Sequence, residues 1–222
     1  MALASAGVVC TVAAAAFAEL HLGLSLGEGV SFMGGPLRSH MASTNPDAVT
    51  GASIDAITTA SRVAHGGGVH VHLQRPDTGA LVLGLEYIHY RFDLDYELGR
   101  ASMDVAGLRV IVLARLTLLR VRGAPLVTFG FGGYLELTFY DAATLSGSWI
   151  DISIEPASFG IAVDLGVTPY RFRLSGGRGT LTPGIFARAY RGLLPQLRDE
   201  VGSEAPLSSI AVGLDLRYDF PE

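Results

Sequence analysis

The sequence predicts an all-β fold, an eight-stranded antiparallel up-and-down transmembrane β-barrel, on three observations. Large apolar residues stand at every second position through most of residues 19 to 220, the period of a strand with one apolar face. These runs number eight, and an even count returns both chain ends to one side of a closed barrel. The connections between runs alternate between short and long. That is the layout of a bacterial outer-membrane barrel, with tight periplasmic turns and longer outside loops.

The first run, ELHLGLSLGEGVSF, sets Leu20, Leu22, Leu24, Leu26, Val30 and Phe32 against His21, Gly23, Ser25 and Gly27. The second sets Val69, Val71 and Leu73 against His70, His72 and Gln74. In the third, the apolar face passes from Leu81, Leu83 and Leu85 to Ile88, Tyr90, Phe92, Leu94 and Tyr96. That change of phase predicts a bulge near Tyr87, because one extra residue turns a strand's faces over. The fourth opposes Leu108, Val110, Val112, Leu116 and Leu118 to Arg109, Arg115 and Thr117. The fifth opposes Val127, Phe129, Phe131, Leu135, Leu137 and Phe139 to Thr128, Gly130, Tyr134 and Glu136.

The sixth sets Phe159, Ile161, Val163, Leu165 and Val167 against Gly160, Ala162, Asp164 and Gly166, and is expected to continue through YRFRL. The seventh sets Leu181, Ile185, Ala187 and Ala189 against Gly184, Phe186, Arg188 and Tyr190. The eighth, IAVGLDLRYDF, carries Ile210, Val212, Leu214, Leu216, Tyr218 and Phe220 opposite Gly213, Asp215, Arg217 and Asp219. RPDTG, VRGAP and SGGRG make the short turns, rich in Pro and Gly.

Composition narrows the class. Of 222 residues, 49% are hydrophobic and 17% charged, which excludes disorder. The net charge is −5, every basic residue is arginine and no basic stripe appears, so nucleic acid is not an expected partner. Residues 1–18 read as a signal peptide, with an apolar core and a small-x-small site at Ala16-Phe17-Ala18, leaving residues 19–222 as the barrel domain. The one cysteine, Cys10, lies in that segment, so the mature chain has neither disulfide nor thiol nucleophile.

Two barrels fit alternating strands. A soluble ligand-binding barrel turns its apolar face inward, whereas a membrane barrel turns it outward to lipid. The minority face here carries charges of both signs among Gly and Ala, and a water-facing wall without a single lysine is unexpected. The apolar face is therefore assigned to lipid. Glu86, Arg91, Arg109, Arg115, Glu136, Asp164, Arg188, Asp215 and Arg217 become lumen-lining residues, in a lumen more plugged by ion pairs than open, since eight strands leave room for little beyond side chains. Phe32, Tyr90, Phe92, Tyr96, Phe139, Tyr170, Phe172, Tyr218 and Phe220 gather toward strand ends as interfacial girdles.

The closing strand resembles the C-terminal assembly signal of outer-membrane barrels, with Gly213, Leu216, Tyr218 and Phe220 carrying the match. Pro221 and Glu222 depart from the usual terminal aromatic. Residues 19–222 as a whole resemble the small outer-membrane proteins of OmpA and OmpW type. APLVTFGFGGYLELTF and SWIDISIEPASFGIAVDLGV are more similar to the fifth strand, following loop and sixth strand of the OmpW family. That resemblance implies a bacterial outer-membrane location, contact with the barrel-assembly machinery, and passive movement of small, often hydrophobic, molecules. A barrel alone warrants no function, and the alternative is a non-transporting surface barrel that binds partners or braces the membrane.

Other constellations read more simply. His70 and His72 share a face, with His21 and His89 on flanking strands, but no third ligand is placed, so polar packing is expected and no metal. Glu86 and Glu136 could pair as carboxylates, yet no acid-base or nucleophile-elbow context accompanies them. Neither an enzyme nor a cofactor is expected. The connection 34–62 is the candidate for contact with host or environmental molecules.

Overall fold

The computed structural model describes residues 19–33, 57–75, 79–96, 99–121, 124–147, 152–199 and 204–220. The long strands are β1 (Glu19–Met33), β2 (Ile57–Arg75), β3 (Gly79–Tyr96), β4 (Gly99–Val121), β5 (Ala124–Gly147), β7 (Ala157–Val167), β9 (Thr180–Gly192) and β12 (Leu207–Asp219). Four short strands lie between them: β6 (Ile152–Ile154), β8 (Phe172–Arg173), β10 (Leu197–Asp199) and β11 (Glu204–Ala205). The long strands pair in the order β12-β1-β2-β3-β4-β5-β7-β9, and β9 pairs again with β12. Eight antiparallel staves therefore close into a barrel. The proposed signal peptide lies outside the described residues, as do residues 34–56 of the first long connection; residues 57–62 of that connection are strand.

Pleating decides which side chains meet the lumen, since successive residues point to opposite faces. On β4, Leu108, Val110, Val112, Leu116 and Leu118 face out and are exposed, while Arg109, Ile111, Leu113 and Arg115 face in and are buried. The same split holds on β1, β5, β7, β9 and β12, with Leu26 at 72% and Leu214 at 66% exposure. The exposed apolar run of β4 spans Leu108 to Leu118, the length that about 9–11 tilted residues need to cross a bilayer. Aromatic pairs mark its two edges. Tyr87 and Phe139 sit 6.3 Å apart toward the loop-bearing end, and Tyr218 and Phe220 sit 5.0 Å apart toward the turn-bearing end.

Three readings of the sequence need correction. No bulge interrupts β3 at Tyr87, because its registers with β2 and β4 run straight through that residue. The shifts lie instead at Ala106/Gly107 and between Thr117 and Arg120 on β4. With the phase unbroken, Ile88 and Tyr90 point inward and are buried, whereas Arg91 is exposed on the outer phase. The apparent switch of faces is the edge of the apolar band. Past Tyr87 the outer face turns polar with His89 and Arg91 while the interior becomes apolar, as in a barrel standing in water. Tyr90 thus leaves the girdle and Arg91 leaves the lumen. Finally, the sixth stave ends at Val167, and YRFRL forms a separate hairpin whose strand β8 pairs with the start of β9.

Candidate functional site

The lumen is filled by charge arranged in three tiers. The upper tier centres on Glu136 of β5, where Arg109 donates from Nε at 3.2 Å and from a terminal nitrogen at 2.7 Å. The Tyr90 hydroxyl donates to the same carboxylate at 3.1 Å and itself accepts from Arg109. Gln196, from the connection after β9, donates to the other oxygen at 2.6 Å. The Arg109 guanidinium also lies 3.8 Å from the Tyr190 ring centre and 4.8 Å from that of Tyr134, a cation–π setting.

The middle tier joins β9 to β7 beside it and to β3 across the lumen. Arg188 donates from Nε to Asp164 at 3.0 Å and reaches Glu86 across the lumen. The Tyr190 hydroxyl donates to Glu86 at 2.7 Å, and His70 Nε2 stands 3.2 Å from it. Arg115 donates to Asp164 at 2.6 Å and lies 3.9 Å from Asp215. Arg115 reaches past β5 because Gly130 stands between them in the register; a Cβ there would sit 3.1 Å from that of Asp164.

The lower tier closes the turn-bearing end. Asp219 accepts from Arg217 Nε at 2.9 Å and from Arg171 at 2.9 Å, and lies 2.8 Å from His21 Nδ1. Arg217 thus meets Asp219, not the neighbouring Asp215. His72 is buried between the lower tiers with neither ring nitrogen hydrogen-bonded among the described residues.

Asp164, Glu136 and Arg188 have 0%, 1% and 2% exposure. Charges so deep survive only when paired and hydrogen-bonded. Here Arg109, Arg115, Arg171, Arg188 and Arg217 face Glu86, Glu136, Asp164, Asp215 and Asp219, so positive and negative charges cancel. Glu136 is bound by Arg109 and Glu86 by Arg188. Among the described residues, no three His, Cys, Asp or Glu side chains stand close enough to hold a metal. His89 lies on the outer phase, 3.7 Å from Asp104, away from His70 and His72.

In the sequence reading, Tyr190 and Asp219 stand on the face opposite the apolar stripe without being named as lumen groups, Tyr90 stands on the apolar face, and Gln196 has no place. Asp219 sat in phase with Arg217 and was available to it. Gln196 lies in an irregular connection, where no periodicity points to the lumen.

Between the upper tiers a cavity of about 30 Å³ remains, against Ser25, Gly27, Gly66, Ile88, Tyr90 and Phe186, room for a water or two. Directly outside, a groove of about 680 Å³ runs over Leu26, Gly27, Gly66, Gly67, Tyr87, Gly213 and Leu214. The two spaces share Gly27 and Gly66. Across that stretch the wall is bare backbone. Phe186 covers it from inside, its ring occupying the room that side chains at Gly27 and Gly213 would take.

No family model matches the chain, and no curated protein matches it in sequence. Among solved structures it is similar to the outer membrane protein AlkL, determined by solid-state NMR in DMPC lipid bilayers. Identity there is 12% and the TM-score 0.40, over 92% of this chain and 91% of that one. It is also similar to the crystal structure of the outer membrane protein OprG from Pseudomonas aeruginosa. Identity is 10% and the TM-score 0.43, over 92% and 97% of the two chains.

Proposed function

We infer that this chain is a bacterial outer-membrane barrel that passes small apolar molecules through its glycine wall into the bilayer. The membrane setting rests on the exposed apolar band, bounded by aromatic pairs, around a lumen whose charges are all turned inward. Contiguous apolar surface of that extent marks a lipid or partner contact. The passage rests on one observation: an inner cavity and an outer groove lie back to back across Gly27 and Gly66. Below that level the middle and lower tiers close the route to water and ions. An apolar solute entering from the loop-bearing end meets Ile88, Tyr90 and Phe186, and displacement of the Phe186 ring joins the two spaces.

The test is uptake of a small apolar fluorescent dye by cells carrying the barrel, compared with cells carrying Gly66→Leu. A Cβ at residue 66 lies 3.3 Å from Tyr87 O and 3.9 Å from the Ile88 side chain, and heat-modifiability on gels establishes that the variant has folded. Several-fold slower uptake supports the wall route. Uptake equal to that of cells lacking the barrel favours a second reading, a non-transporting barrel that braces the membrane, which the packed tiers also suit.

A further inference from the structure

Between Thr168 and Thr180 the chain leaves the barrel wall and returns to it as a hairpin. Its root is fixed, the Thr168 amide donating to Leu126 O at 2.8 Å and the hydroxyl to Pro125 O at 2.5 Å. From Pro169 to Arg178 every residue is exposed, so the hairpin has no buried side chain of its own. A short set of polar links holds it. Strand β8 makes two ladder pairs with β9, Phe172 with Leu181 and Arg173 with Thr180. Gly176, Gly177 and Gly179 turn the tip at φ of +76°, +69° and +100°, values that favour glycine. The Leu174 amide donates across that tip to Gly179 O at 2.9 Å. Two bonds reach the closing strand: Arg171 donates to Asp219 at 2.9 Å, and the Tyr218 hydroxyl donates to Arg178 O.

A space of about 760 Å³ separates the hairpin from the turn-bearing mouth. Arg171, Arg173 and Gly177 border it on one side, and Glu19, His21 and Asp219 on the other. His21 and Asp219 belong to the floor of the lumen and are buried. A segment with few buried contacts and solvent-exposed hydrogen bonds opens locally, at a fraction of the free energy that unfolds the whole. Here the links to be broken are the few just named. None of them belongs to the ladders that close the eight staves.

We propose that residues 169–178 form a flap over the floor of the lumen. Arg171 on Asp219 and Tyr218 on Arg178 O are its latches. The flap opens with the barrel intact and admits water to His21 and Asp219, while the middle tier stays closed above them. It governs access to the floor from the turn-bearing end and does not rest on solute passage through the glycine wall.

The test uses the full-length barrel in phosphatidylcholine nanodiscs and reads two rates. Amide hydrogen exchange follows the hairpin, and modification of histidines by diethyl pyrocarbonate, located by mass spectrometry, follows the floor. In the native chain the Leu174 amide should exchange far faster than the amides of β7 and β9. Tyr218 lies on the outer phase, opposite Leu22 and away from His21, so Tyr218→Phe removes a latch without touching the floor. One hydrogen bond of this kind shifts a local equilibrium about fivefold. Tyr218→Phe should therefore quicken both Leu174 exchange and His21 modification about fivefold, with His70 and the heat-modifiable band unchanged. Leu174 exchange as slow as that of the staves in the native chain would overturn the proposal. So would an unchanged rate at His21 in Tyr218→Phe, which would mark a loose hairpin that covers nothing. An equal rise at His70 would overturn it too, since the barrel as a whole would then be opening.

Discussion

The side-chain amide of Gln196 donates to Oε1 of Glu136 at 2.6 Å, so a connection at the loop-bearing end reaches down into the charged interior. Its backbone is held too, since the Glu155 amide donates to Gln196 O at 2.9 Å. Gln196 has 1% exposure, and a hydrogen bond to a buried carboxylate is worth about 1.5–3 kcal/mol. Gln196→Ala should leave the barrel folded while freeing the connection after β9. Faster protease cleavage between Leu193 and Pro206, with an unchanged folded band on unheated gels, is the expected pair of results.

Removing one partner of a buried ion pair costs more than the pair contributes, because the survivor is left uncompensated. Arg109→Met strands Glu136 beside Tyr90 and should destabilise the barrel by about 3–5 kcal/mol. Glu136→Gln added to Arg109→Met should recover much of that loss, since a neutral amide still hydrogen-bonds Gln196 and Tyr90. Denaturant unfolding of the native chain and the two variants in lipid vesicles reads this out. A double variant no more stable than Arg109→Met would refute the pairing as the cause.

The closing strand separates lipid contact from lumen chemistry within three residues. Leu216 is exposed on the outer face, while Asp215 and Arg217 point inward. Leu216→Arg puts a charge against lipid, costing up to about 2–4 kcal/mol near the midplane. Asp215→Asn keeps a hydrogen-bonding group in the lumen. The arginine variant should assemble poorly and the asparagine variant normally, judged by heat-modifiability and protease protection. The reverse result would invert the two faces.

Gly213 is constrained by contact and not by turn geometry. A Cβ there would stand 2.1 Å from Leu26 O and 2.6 Å from the Gly27 Cα across the closing seam. Those are backbone atoms and cannot swing aside. Gly213→Ala should cost about 1–3 kcal/mol through forced backbone shifts and lower the folded fraction during refolding into vesicles. Gly66→Ala, whose Cβ would stand 3.3 Å from Tyr87 O, should refold far more nearly as the native chain does.

The staves themselves were legible because alternation and connection length both derive from the pleat and the bilayer. Each stave reports its own faces through residues such as Leu108 and Arg109. Partner choice was less legible. Arg217 could be placed in the lumen from its phase, but its preference for Asp219 over Asp215 follows from Arg171 and His21 converging at the barrel floor. Arg91 and Tyr90 were misread because the rule that apolar means outward holds only within the hydrocarbon. Strand β3 leaves that layer at its upper end, and there the rule inverts. Gln196 carried no signal, because an irregular connection has no periodicity to read.

The three tiers also set the width of the barrel. Arg188 links Asp164 on the adjoining strand to Glu86 across the lumen, and Arg115 reaches over Gly130 to Asp164. Such links act as spokes cut to one wheel. A barrel's diameter grows roughly in step with its number of staves, so a duplicated hairpin would carry opposite rims apart. The link from Arg188 to Glu86 across the lumen would then fall short, stranding charge in a widened core. Growth of this chain into a larger pore would require the interior to be rewritten together with the wall.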